Sequence, residues 1–398
     1  MPQDLTPEDQ LCLLLSRGRF SPEVAKSAAA RLEADRWDRV LQRAITHALV
    51  PLVFHRLAEM DFPRVPAHIQ RKLMDSFGVN AMRNVVLTRE LATVLAALSK
   101  AGVRAIPLKG LPLAESLFGD AALRTCADVD ILIFPENLHE SLHRLHSIGY
   151  TDRFRRPELV RLLARFGKDC LLIREDQKQV FALQLHCGLI WGGPPERRLL
   201  ADIWSDAVPR PFHGAPAYAM SPEWEFLYLA IHAARHGLFP YKFLVDIDWL
   251  VHRGGLDWTQ VRDKAASLGW EPTVQTCFSA CARLLDTPIP EPFSAAARSK
   301  PVKIPDSGAS PLQTPRETVF GLRLLPTLRQ KLQFLAIRLL VPTPVDCESI
   351  SLPSSLFFLY YFLRPWRLLL AVAGSSLQVG MARLRGRASA GPSDSSRW

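Results

Sequence analysis

The stretch TCADVDILIF, residues 125–134, constrains the fold most, because it sets two acids one residue apart at the start of an apolar, β-branched run. A strand shows alternate side chains on one face, so Asp128 and Asp130 must point the same way while Val129 points the other. Two like charges at the edge of a core are costly unless something positive sits between them. Where such a strand meets a crevice, the carboxylates can hold one or two divalent metals that bridge phosphate oxygens.

The periodicity on either side brackets this strand. Residues 1–95 carry helical periodicity, with a Ser-Pro start signal at SPEVAKSAAARLEADRW. VRAIPLKG (103–110) predicts a short strand closed by Gly, LPLAESLFGD a helix, and DVDILIF the next strand. HESLHRLHSIGY predicts a helix ended by Gly149; DCLLIRE and VFALQLHCGLIW predict two strands joined across DQKQ. From Ser221 helical periodicity returns in SPEWEFLYLAIHAARHG, YKFLVDIDWLVHRG and LDWTQVRDKAASLGW. The expected organisation is an N-terminal helical region (1–95), an α/β core (96–215), a helical bundle (216–287), a Pro/Ser-rich linker (288–315), a basic, aromatic helical segment (316–385) and a disordered tail (386–398).

Bulk properties narrow the function classes without choosing one. A length of 398 residues allows two or three domains, and a formal charge of +10, from arginine scattered along the whole chain, favours an anionic partner. Seven cysteines without a CxxC pair predict reduced thiols in a cytoplasmic protein, with Cys277 and Cys281 one helical turn apart as core or interface residues. MPQDLTPEDQ lacks the basic-then-apolar pattern of a secretory signal. The most apolar run, 354–374, is broken by Arg364, Pro365 and Arg367, so no transmembrane helix is expected there. A helix pair packed on the main body is the preferred reading, and peripheral membrane contact through 354–374 the alternative.

The order strand, Lys109-Gly110, helix, then strand with D-x-D adds weight to the two acids. A Gly at a helix N-terminus lets backbone N–H groups approach a phosphate, and the lysine adds charge. LKGLPLAESLFGDAALRTCADVDILI resembles the core of the DNA polymerase β-like nucleotidyltransferase superfamily. More narrowly, it is similar to a bacterial nucleotidyltransferase family with an L-K-G signature, an Arg shortly before D-h-D, and a later E-L-H strand. RWDRVLQRAITHALVPLVFHRL and LAIHAARHGLFPYKFLVDIDWLV are similar to that family's flanking helical regions, so the resemblance spans residues 30–285.

The resemblance implies an α+β fold, a small mixed sheet with helices flanked by helical regions. It also implies transfer of a nucleoside monophosphate from an NTP to a hydroxyl or phosphate on an unidentified small-molecule, peptide or polymer acceptor, releasing pyrophosphate. By it, Asp128 and Asp130 would coordinate Mg²⁺ (or Mn²⁺), Lys109 and Gly110 would contact the phosphates, and Arg124 would neutralise their charge. Leu111 stands where the superfamily often has Ser. The E of E-L-H, a third carboxylate, is here Gln184, which offers a carbonyl oxygen but no charge and no base. That substitution leaves a degenerate nucleotide-binding or scaffold protein as a rival. Asp169, at the start of the neighbouring strand, is the better substitute acid; Asp176 is expected in a turn.

His186 shares the face of Gln184 and could reach the acceptor or a phosphate. His232 and His236 stand four apart on one helix face, a spacing that can bind zinc, and Asp246 or Asp248 could join them. Without an HExxH glutamate or a cysteine partner, the preferred reading is the acceptor side of the cleft, with Lys242 and Asp246 nearby. His139 and His143 are read as a solvated helix face. RFRRPELVRLLARF (153–166) lacks the interleaved aromatics of a single-strand platform, so no sequence-specific nucleic-acid partner is expected.

Overall fold

In the computed structural model the described residues are 5–152, 156–166, 169–176, 179–189, 197–294, 318–319, 322–323, 325 and 327–370. The expected tail (386–398), and all of the expected linker beyond a short helical turn at Glu291–Ser294, lie outside them.

Five helices lead the chain: α1 (Pro7–Ser16), α2 (Pro22–Ala30), α3 (Trp37–Thr46), α4 (Val50–Glu59) and the long α5 (Ala67–Lys100). The Ser-Pro signal acts as read: the Ser21 hydroxyl accepts from the Val24 N–H, and Pro22 occupies the first turn, where a missing N–H costs nothing. α5 runs across residue 95 and joins two apolar cores. Its Ile69 and Leu73 pack with the flanking helices, and Leu87, Leu91, Val94 and Leu98 pack beneath the sheet.

The sheet has five strands in the order β1-β2-β5-β4-β3. These are β1 (Ile106–Pro107), β2 (Val129–Leu132), β3 (Thr151–Asp152), β4 (Cys170–Asp176) and β5 (Gln179–His186). β2 and β5 run parallel; the other neighbours are antiparallel, giving a mixed sheet. Two strands are shorter than their sequences predict. Of the 103–110 stretch, Ile106 and Pro107 form the strand beside β2, and the Leu108 N–H donates once more, to the Asp130 carbonyl at 3.0 Å, before the Lys109-Gly110 turn ends the ladder. VFALQLHCGLIW leaves the sheet after His186, and its last two residues, 190–191, lie outside the described residues.

α6 (Leu111–Phe118) links β1 to β2, and α7 (Leu138–His146) and α8 (Pro157–Arg165) back the sheet. Val129, Ile131, Leu183 and Leu185 point into the core that α5 and α7 cover. The opposite face of β2 and β5 carries Asp128, Asp130, Gln184 and His186, as alternation requires. Over that face stand α10 (Pro222–Arg235) and α11 (Lys242–Arg253), packed on α12 (Trp258–Leu268) and α13 (Glu271–Leu285); α9 (Arg197–Ser205) precedes them. Cys277 and Cys281 are buried core residues of α13. Asp176 pairs with Gln179 at the end of the β4–β5 hairpin, at a distance from the acids of β2.

The C-terminal described stretch holds helices Leu328–Leu340 and Pro344–Ser349 and a helical run over 354–370. Pro365 falls inside that run rather than breaking it. Arg364 ties the run down by donating to the Arg338 carbonyl (3.0 and 2.8 Å) and to Asp346 (2.6 Å). Among the described residues no helix is long and apolar enough to cross a membrane.

Candidate functional site

The face of β2 and β5 opens into a cavity of about 410 Å³ whose other wall is α10 and α11. It is lined by Lys109, Gly110, Arg124, Asp128, Asp130, Asp169, Gln184, His186, His232, His236 and Lys242, among others. The fold thus brings together almost every residue singled out in the sequence. Asp246 is an exception, as are Asp176 and Asp248: Asp246 is 1% exposed, does not line the cavity, and is bound to Arg124.

The repulsion between the two acids is offset from both sides. The Lys109 ammonium stands 2.5 Å from Asp130 Oδ2 and 3.7 Å from Asp128 Oδ1. His186 Nε2 lies 2.9 Å from Asp130 Oδ1. Burial alone would raise the Asp130 carboxyl, but the His186 hydrogen bond and the Lys109 charge outweigh it and hold the group well below the usual carboxylate range. Asp128 is more open, with its side chain 32% exposed, and it accepts a 3.3 Å hydrogen bond from the Gln184 amide nitrogen.

Gly110 makes the turn that places Lys109 here. It lies at φ +79°, ψ −124°, a conformation that strains any residue with a Cβ, and it is the cap of α6. Gly110, at the N-terminal end of α6, lines the cavity beside Lys109, an arrangement that suits an anion. Leu111 is buried in the core beneath the sheet and brings no hydroxyl to this turn.

Arg124 lines the cavity, but its guanidinium is committed. It donates to both Asp246 oxygens at 2.9 and 2.8 Å, and its backbone carbonyl accepts from Asn80 and Asn84 of α5. Burial works against its charge, yet Asp246 more than compensates and raises its pKa. Arg124 thereby clamps the loop before β2 onto α11. Asp248 points away from the histidines, accepting from Thr287 and the Gly18 N–H.

The helical wall is aromatic. Tyr228, Ile231, His232 and Arg235 recur on one face of α10, and Phe243 packs edge-on against His232 with ring centres 4.8 Å apart. Burial and then the nearby Lys109 charge push the His232 imidazole well below its ordinary value; His236, burdened also by Arg235, is lowered to about 4. Both are neutral near pH 7 and can accept or donate a hydrogen bond without repelling a cation. Lys242 donates to the Thr125 carbonyl (3.2 Å), and burial, reinforced by Arg124, lowers it to about 8. Tyr228, Arg235 and Phe243 escaped notice in the sequence, although the 3.6-residue phase of His232 leads to Tyr228 and Arg235.

The oxygen donors of Asp128 and Asp130 are of the hard kind that Mg²⁺ or Mn²⁺ takes. Gln184 stands in register beside Asp130, so the third place on this face carries no charge. Asp169 lines the cavity one residue ahead of β4, where the register Cys170↔Leu185 continues to His186. Among the described residues no group of three or more His, Cys, Asp or Glu is arranged to hold a metal ion by itself. The donor set fits one cation that takes its remaining ligands from a bound phosphate, and falls short of two.

The solved structure of an antigenic nucleotidyltransferase-like protein from Paracoccidioides brasiliensis is similar at 14% identity and a TM-score of 0.35, over 54% of this chain and 93% of that one. No curated protein matches the chain. The profile described as uncharacterised nucleotidyltransferase matches residues 33–286, which covers α3 to α5, the sheet and the helical wall of the cavity. The chain belongs to that uncharacterised nucleotidyltransferase family.

Proposed function

We propose that this protein moves a nucleoside monophosphate from an NTP, in the presence of Mg²⁺ or Mn²⁺, onto a hydroxyl or phosphate of an acceptor held against α10 and α11. The observation that carries this reading is the convergence of Asp128, Asp130, Lys109 and the start of α6 on one cavity. When bound, the cation would be held by Asp128 and Asp130 and would neutralise phosphate charge. Lys109 and the α6 N–H groups bind the β and γ phosphates and stabilise the charge that grows on them. An acceptor oxygen attacks the α-phosphorus, the bond from that phosphorus to the bridging oxygen breaks, and pyrophosphate leaves. His186, oriented by Asp130, is placed to take the acceptor's proton, a task Gln184 cannot perform. His232, His236 and Lys242 orient the acceptor from the opposite wall.

Gln184 supports a second reading, a protein that binds nucleotide without transferring it. Labelled ATP, GTP, CTP and UTP with Mg²⁺ or Mn²⁺ and a broad acceptor panel separate the two. Transfer by the wild type, lost about a thousandfold in Asp128→Ala with Asp130→Ala, supports the enzyme. Metal-dependent binding with no transfer to any acceptor supports the second reading, and transfer that survives the double substitution overturns the site.

A further inference from the structure

The C-terminal helical run shows a face that the catalytic cavity does not use. Tyr360 and Arg364, four residues apart, are buried, and Arg367 one turn further reaches Asp346 at 2.6 Å. Tyr360 and Phe357 join the core beneath the sheet, on the side away from the two acids. The opposite side of the same run carries Phe358, Phe362, Trp366, Leu369 and Leu370, exposed by 55, 73, 65, 64 and 59%. Spacings of four, four and three residues put these side chains on one stripe. The preceding helix, Leu328–Leu340, turns out Leu328, Leu332, Leu339 and Leu340. So the arginines that break the run in sequence fasten it to the body, and what faces out is apolar and aromatic.

The charge is distributed to match. Residues 316–398 hold eleven Lys and Arg against four Asp and Glu, so +7 of the chain's +10 belongs to this last fifth, although Arg338 and Arg364 are buried and Arg367 is paired with Asp346. We propose that this stripe docks on an anionic lipid surface. Outward Trp, Phe and Leu enter the boundary between headgroups and acyl chains, and the basic excess, including exposed Arg323 and Arg329, supplies the electrostatic half of the binding. A second copy of the chain is the poorer occupant, because two segments of like charge would repel.

Flotation of the full chain with phosphatidylcholine vesicles, with and without phosphatidylserine, tests this beside Phe362→Ser with Trp366→Ser. Both changed residues are exposed, so the thermal midpoint should be unchanged. The wild type should float with the anionic vesicles alone, and the variant should partition about tenfold more weakly. No flotation, equal flotation with neutral vesicles, or a variant that floats like the wild type would overturn the proposal. A wild-type dimer that the variant converts to monomer without lipid would overturn it too, by showing that a second copy covers the stripe.

Discussion

Two clusters of buried charge border the same cavity and are built differently. Arg124 and Asp246 form a closed bidentate pair, both nearly inaccessible, with Nε and Nη2 of the arginine each donating to one carboxylate oxygen. Lys109, Asp128, Asp130 and His186 form an open cluster in which two acids share one lysine and Asp128 keeps a third of its side chain in solvent. The first cluster has spent its charge on joining the loop before β2 to α11. The second holds unsatisfied charge at the cavity surface, which is where a ligand's charge can enter.

That contrast has consequences for substitution. Arg124→Ala should lower unfolding free energy by about 3–5 kcal/mol, because Asp246 is left buried and unpaired, while Arg124→Met with Asp246→Leu should recover most of it. Asp128→Asn should cost less than about 1 kcal/mol, since it relieves repulsion beside Lys109. Denaturant titrations of the variants compare the two directly; equal losses at Arg124 and Asp128 would erase the distinction.

A smaller effect comes from His47, which lies where α3 meets the α11 wall. Its ring is buried, stacks on Tyr241 at 3.7 Å, and is pushed down to about 4 by burial and the neighbouring Arg43, against the opposing pull of Asp9. The folded state thus resists protonation at a pH where the unfolded chain, titrating near 6.5, accepts it. This stability is complete above pH 6.5 and falls by about 3 kcal/mol as the pH drops to 4. Unfolding curves over that range check it, and His47→Gln should flatten the acid dependence.

The smallest expected change is a gain. Gln184→Glu adds the third carboxylate to the open cluster and should tighten Mn²⁺ binding about tenfold, with transfer rising by a similar factor. Metal titration monitors the first and product formation the second. No change in either would mean that Asp169 already fills the role.

The sequence carried the local part of this structure well. Alternation in DVDILIF and VFALQLHC places Asp128, Asp130, Gln184 and His186 on one face, because a period of two leaves no other choice. Helix starts at Ser21 and Ser221 follow from their hydroxyls and the prolines behind them. What local pattern cannot show is long-range pairing. Arg124 and Asp246 lie 122 residues apart, so no local pattern shows that the loop before β2 is clamped to α11. The outward stripe at Phe358, Phe362 and Trp366 was hidden for the same reason: which side of an aromatic run is buried depends on Arg338 and Asp346, not on the run itself.

The central claim is that the open cluster binds a metal–nucleotide. Equilibrium binding of labelled NTPs, with Mg²⁺ and with EDTA, tests it most directly when wild type is set beside Asp128→Asn with Asp130→Asn, a pair that keeps shape and removes charge. Binding that needs the metal and weakens about a hundredfold in the variant is the predicted result. Binding unchanged by EDTA and by the double substitution would contradict it.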